Sequence, residues 1–136
     1  SQMRKKNMKT YFISDDGVKD NTFIKVAGRH AEGVYATGPR DTTGNPLAVA
    51  AMAAHKRQYG AEPGSFFLNG YAAAQALFHA IEKAKSTNAK AVMKALRAYP
   101  INTPLGKIKF NAQGDATGIG FSMYQVKNGA FVEMKP

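Results

Sequence analysis

The residues in this sequence best suited to chemistry are Asp15 and Asp16, which close a short apolar run and are followed by Gly17. The run at residues 11–13 reads as a buried strand that two carboxylates and a glycine stop abruptly. In open α/β sheets ligands bind in the crevice beyond the carboxyl ends of the strands, so an acid there can hold a cationic or hydrogen-donating group. Asp16 is the stronger candidate, because Gly17 lets the backbone turn and the carboxylate face a cleft. The alternative is a cap: Ser14 or Asp15 would receive the first N–H groups of the following helix, a role for which serine and aspartate are favoured.

Other chemistry has little support. The sequence contains no G-x-S-x-G, P-loop or H-E-x-x-H pattern. His30, His55 and His79 fall on different expected elements without metal-ligand spacing and read as surface histidines. Asp15, Asp16 and Asp20 lack the alternating acids and final glutamate of a calcium loop. Gly114, Gly118 and Gly120 lack the third glycine and the strand-to-helix context of a dinucleotide fingerprint, so a loop between strands is expected. With no cysteine there is no disulfide, thiolate metal site or cysteine nucleophile. An enzyme with a small Rossmann-like domain would use Asp15 or Asp16 as general base, but a base needs a group to orient it and none is evident. No cofactor and no metal site is expected.

Composition narrows the class further. A chain of 136 residues, 44% hydrophobic and 21% charged, matches one globular domain by length. Its net charge of +10 is spread through Arg4-Lys5-Lys6, Lys56-Arg57, residues 83–94 and residues 107–109. A nucleic-acid footprint would gather the charge on one face with aromatic residues between. Only Lys107, Lys109 and Phe110 approach that, and their alternation fits a half-exposed strand. The charge therefore reads as solubility and steering, with no nucleic-acid partner. No apolar run is long enough for a membrane span. Residues 1–9 are polar and basic, unlike a signal peptide, so a mature chain, a cytosolic one or a fragment is expected.

The elements that must position the acids follow from periodicity and turn chemistry. Residues 2–8 read as the tail of a helix with Asn7 as its stop, and Asp20 opens a short helix closed by Gly28. Residues 34–37 form a second strand, broken by Gly38-Pro39. Asn45-Pro46 starts a helix over 46–59 that Gly60 ends. Residues 65–68 are a bulky apolar patch in a connection. Gly70 introduces a helix over 70–85 with Tyr71, Ala74, Leu77, Phe78 and Ile81 in register. A third helix over 88–98 turns Val92, Met93, Leu96 and Tyr99 to the core. Pro100 and Pro104 bracket an extended piece, and strands are expected at 107–110, 121–126 and 131–134. Asn128-Gly129 is a hairpin signal joining the last two, and all three are expected to pair.

Taken in order, the motifs SDDGV, AEGVYATGP, EPGSFFLNGYAAAQALFHAI and TPLGKIKFNAQGDATGIGFSMYQV resemble the branched-chain amino-acid binding proteins of bacterial ABC transporters, type I periplasmic binding proteins. The most specific part is P-L-G-x-I-x-F-x-x-x-G-D paired with the Tyr-Ala-Ala-x-Gln-Ala-Leu helix. The resemblance covers essentially the whole chain, which corresponds to less than half of such a protein. It implies an α/β fold, the C-terminal portion of two Rossmann-like lobes joined by crossing strands. Residues 1–38 and 104–136 would belong to one lobe and residues 39–103 to the other.

The resemblance also implies roles. Asp16 stands where the family places an acid, more often glutamate, for the ligand's α-ammonium group, and Phe66 matches an apolar residue lining the side-chain pocket. Thr37, Gly38 and Pro39, and Thr103 with Pro104, match two interlobe hinges. The implied function is the solute-binding component of an amino-acid uptake system. It would bind leucine, isoleucine or valine between lobes in the periplasm and deliver it to a membrane permease, without bond-making chemistry. An amide, urea or aromatic acid is an alternative ligand, and a sensory or regulatory module of the same fold an alternative role. A segment that leaves sheet edges and apolar faces such as Leu77, Phe78 and Ile81 without partners is expected to form a homo-oligomer, a swap through residues 38–44 being one route.

Overall fold

A computed structural model of the chain describes residues 1–134. In order the chain forms α1 (Gln2–Lys5), β1 (Ile13–Ser14), a 3-10 turn (Asp16–Val18), α2 (Asn21–Ala27), a second 3-10 turn (Gly28–Ala31) and β2 (Tyr35–Pro39). Helices α3 (Pro46–Tyr59), α4 (Phe67–Ala84) and α5 (Ala89–Ala98) follow. The remaining strands are β3 (Ile101–Thr103), β4 (Gly106–Phe110), β5 (Ala116–Thr117), β6 (Phe121–Lys127) and β7 (Ala130–Glu133). Two compact units result: Ser1–Asp41 with the chain from Gly120 onward, and Thr42–Ile119.

The first unit is built on a sheet of order β1-β2-β6-β7. Strand β1 runs parallel to β2, β2 antiparallel to β6, and β6 antiparallel to β7. Asn128 and Gly129 both take positive φ, 52° and 74°, as a tight two-residue hairpin between twisted strands requires. Their N–H groups donate to the Glu32 carboxylate at 3.0 and 3.4 Å, which ties the hairpin back to the chain before β2. Ala31, Val34 and Val126 form the core, with Phe12, Phe23, Ile24, Ala27 and Phe131 against it.

In the second unit, helices α3 and α5 start on side-chain caps legible in their residues. Asn45 caps α3 by accepting from Leu47 N–H at 3.0 Å, with Pro46 in the first turn, where its missing N–H costs nothing. Gly60, at φ 68°, ends that helix. Asn88 caps α5. Helices α4 and α5 meet through Ala80, Val92 and Ala95, with Ile81, Ala84 and Leu96 around them. Strands β3, β4 and β5 form a small antiparallel sheet. Gly118, at φ +86°, has to be glycine there, since a Cβ would lie 2.0 Å from the Lys107 carbonyl oxygen.

Several elements depart from expectation. The apolar run at 11–13 is not a buried strand: Tyr11 is exposed ahead of β1 and Ile13 is exposed on it, an edge strand with only β2 beside it. Helix α4 starts at Phe67, not after Gly70, because Gly64 and Phe66 carbonyls already accept from Phe67 and Gly70 N–H groups at 3.1 Å. Its buried face is Ala72, Ala76 and Ala80, residues small enough for close approach, whereas Tyr71, Leu77 and Phe78 are exposed. On α5, Val92 is buried but Met93 is exposed, as is Tyr99 just past its end. The last three strands do not form one sheet: β6 and β7 pair, but β4 pairs with β3 and β5. For that reason residues 104–119, expected to group with residues 1–38, fold with Thr42–Ile119.

Asn45 joins two parts of the second unit, since its side-chain amide also donates to the carbonyls of Thr103 and Pro104 at 3.0 and 2.9 Å. Loss of a cap costs about 0.5–2 kcal/mol, and an orphaned buried acceptor about 1–3 kcal/mol. Asn45→Ala should therefore lower unfolding free energy by roughly 2–4 kcal/mol in chemical denaturation. Asn45→Asp keeps the cap but loses both donated bonds and should be destabilised as well. Wild-type stability in Asn45→Asp would show that only the cap matters.

Candidate ligand-binding site

The acid turn divides its carboxylates by task. Asp15 caps the 3-10 turn, accepting from Gly17 N–H at 3.2 Å. Asp20 caps α2, accepting from Thr22 N–H at 2.7 Å. Asp16, the first residue of the turn, is half-buried at the carboxyl end of β1. Its backbone carbonyl accepts from Lys19 N–H at 3.1 Å, while its side chain forms no hydrogen bond or ion pair among the described residues. The cap considered at Ser14 or Asp15 thus falls to Asp15, and Asp20 opens α2 as expected. Asp16 keeps a carboxylate available to a cationic or donor group.

Thr37, Gly38 and Pro39 lie together on β2, in register with Met123, Ser122 and Phe121 of β6, and the acid turn packs against β2. The chain passes from the first unit to the second after Asp41 and returns at Gly120. At these ends the Arg40 N–H donates to the Gly120 carbonyl at 3.0 Å. Thr103 and Pro104 are at neither passage. Both are buried inside the second unit, Thr103 at the end of β3 and Pro104 in the turn to β4, and the Thr103 hydroxyl donates to the Gly106 carbonyl at 2.8 Å. That turn has to be internal, because β3 and β4 pair directly across it.

Phe66 is the residue before α4 and is 51% exposed, so it is not a core residue of its unit. Packing falls to Phe67 instead, whose ring meets His55 at 4.8 Å and Tyr71 at 5.8 Å between centroids. His55 Nδ1 also lies 3.1 Å from the Ala61 carbonyl, closing the turn that leads to Phe66. Phe66 is an exposed aromatic on a well-held turn.

Sequence reasoning missed a cluster beside the acid turn. Lys19 Nζ stands 4.0 Å from the centroid of the Tyr124 ring. The Tyr124 hydroxyl donates to the Pro39 carbonyl, and Glu133 accepts from the Asp41 N–H at 3.3 Å. Half-burial pulls the Lys19 ammonium below its ordinary pKa, partly offset by the carboxylates of Asp41 and Glu133. Burial, then Glu133 and Asp41, pushes the Tyr124 phenol up to about 12. The one signal in the sequence is Gly38: a close backbone approach, in this case by a lysine stem, asks for glycine in a strand. Among the described residues no group of histidine, cysteine, aspartate and glutamate could hold a metal ion, and no helix is long and apolar enough to cross a membrane.

This arrangement, an α/β unit with a spare acid at a strand's carboxyl end, is accompanied by a clear kinship. The chain belongs to the periplasmic binding protein family, whose sequence model matches residues 3–130. It is 35% identical over 133 residues to Leu/Ile/Val-binding protein homolog 1 of Brucella abortus, covering 95% of this chain and 35% of that protein. Against the leucine-, isoleucine-, valine-, threonine- and alanine-binding protein of Pseudomonas aeruginosa it is 31% identical over 124 residues, 91% of this chain and 33% of the other. The crystal structure of the leucine binding protein LivK from Thermotoga maritima superposes with a TM-score of 0.83 at 27% identity, over 98% of this chain and 39% of that one. The chain spans about a third of the length of the curated relatives it matches.

The Tyr124 phenol gives a pH prediction. Its folded pKa lies above the unfolded value of 10.0, so the neutral form is favoured on folding. The stability it contributes is fully present below pH 10 and is lost as pH rises toward about 12. Ultraviolet titration of tyrosinate should show a last component near pH 12 that is absent from Tyr124→Phe. The same titration curve in both proteins would contradict the assignment.

Proposed function

We propose that the full-length protein is the solute-binding component of an ABC transporter for amino acids, with branched-chain ligands foremost, working outside the cytoplasm and delivering its ligand to a membrane permease. The observation that carries this reading is the division of labour in the acid turn: Asp15 and Asp20 do the capping, and Asp16 remains for a ligand. A zwitterion needs a carboxylate for its ammonium, donors for its carboxylate and an apolar wall for its side chain. Asp16 supplies the first and Phe66 part of the last. The names of the relatives, binding proteins for leucine, isoleucine and valine, support the same ligand class. Thr37, Gly38 and Pro39 act in this reading as a hinge strand, joined by the passage at Gly120. Binding and release, rather than bond-making, make up the function.

Charge-assisted hydrogen bonds contribute roughly 1.5–3 kcal/mol each, and removing one partner of a buried ion pair costs about 3–5 kcal/mol. Asparagine caps as well as aspartate, so Asp16→Asn separates ligand binding from structure. In the full-length protein its leucine affinity should fall at least about a hundredfold with little change in melting temperature. Calorimetry with leucine, isoleucine, valine and a wider amino-acid panel checks this. Unchanged affinity in Asp16→Asn would mean that the turn is only structural.

A further inference from the structure

Lys19 has no part in the reading above, yet the first unit is arranged closely around it. It directly follows the 3-10 turn that begins at Asp16. Its stem lies across Gly38, where a Cβ would stand 2.4 Å from Lys19 Cδ and 3.2 Å from Cε. Beyond the stem, the ammonium sits over the Tyr124 ring, within the field of Asp41 and Glu133. A cation over an aromatic face is attracted by the ring quadrupole, more strongly when shielded from water. The groups that hold Lys19 also hold the departing chain: Tyr124 through the Pro39 carbonyl, Glu133 through the Asp41 N–H. The first segment of the unit ends at Asp41. One side chain therefore reaches from the turn that carries Asp16 to the segment by which the chain leaves the unit.

We propose that Lys19 is a positioning residue that ties the acid turn to residues 38–41, so that the two move as one body and Asp16 keeps its place as the chain flexes at that segment. Two features are required: glycine at 38, to leave room for the stem, and a cation at 19 to meet the ring and the two carboxylates. The consequence for binding rests on the reading of Asp16 as the ligand's partner. The tie itself does not.

The test uses the full-length protein and two readouts. Lys19→Met keeps most of the stem and removes the charge, Lys19→Arg restores a cation that stacks on aromatic faces, and Gly38→Ala displaces the stem. Without ligand, hydrogen exchange at residues 38–41 should be about tenfold faster in Lys19→Met and Gly38→Ala and close to wild type in Lys19→Arg. Leucine affinity should fall about tenfold in Lys19→Met and recover in Lys19→Arg, with melting temperature little changed. Unchanged exchange in Lys19→Met overturns the proposal, as does wild-type affinity in Lys19→Met where Asp16→Asn has abolished binding. If Asp16→Asn binds leucine as wild type does, the reading of Asp16 fails and the exchange result alone decides the tie.

Discussion

The first unit depends on the antiparallel pairing of β2 with β6, which brings residues 35–39 into register with residues 121–125. This pairing joins segments distant in the chain, so the loop between them must be closed before the ladder gives anything back. Once made, it sets the rest. Val126 N–H donates to the Val34 carbonyl at the core, and Gly33 N–H donates to the Val126 carbonyl. Strand β1 can then add in parallel to the free edge of β2. The acid turn at the end of β1 comes to rest on β2, and Tyr124 of β6 reaches the Pro39 carbonyl. Site and exit segment share one strand pair as their foundation.

What was legible in the sequence was local. Asn45-Pro46 and Gly60 bracket α3 because capping and C-terminal glycine act within a turn of the helix end. Asn128-Gly129 specified its hairpin because only residues tolerant of positive φ fit there. The α/β character and the acid turn followed from similar signals. Pairing partners did not, because the alternation of β4 fits equally well beside β3 or β6, and only the folded structure pairs it with β3 and β5. The apolar stripe of α4 was visible, but not which side of it packs. Alanine at 72, 76 and 80 permits a closer approach than leucine or phenylalanine would. Lys19 could not be singled out, since its role depends on Gly38, Tyr124 and Glu133 meeting in space.

In the proposed reading, function rests on a small set of charges kept from cancelling one another locally. Three aspartates fall within six positions of the chain, and two are consumed by backbone N–H groups. A carboxylate that already satisfied a helix end would offer a ligand little, because its lone pairs would be taken and its rotamer fixed by the backbone. Asp16 differs only in its place in the turn, one residue after the cap. In that reading, the placement lets one short segment serve both as the end of a strand and as a recognition group. Adjacent acids in one short turn also explain why the capping residue could not be singled out from the sequence.

The most direct measurement is a comparison of leucine with isocaproate, which is leucine without its amino group, on the full-length wild-type and Asp16→Asn proteins. If the Asp16 carboxylate holds the ligand ammonium, the wild type should prefer leucine over isocaproate by about a hundredfold or more, and the preference should largely vanish in Asp16→Asn. The same preference for leucine in both proteins would contradict the account, because the ammonium would then be recognised by some other group.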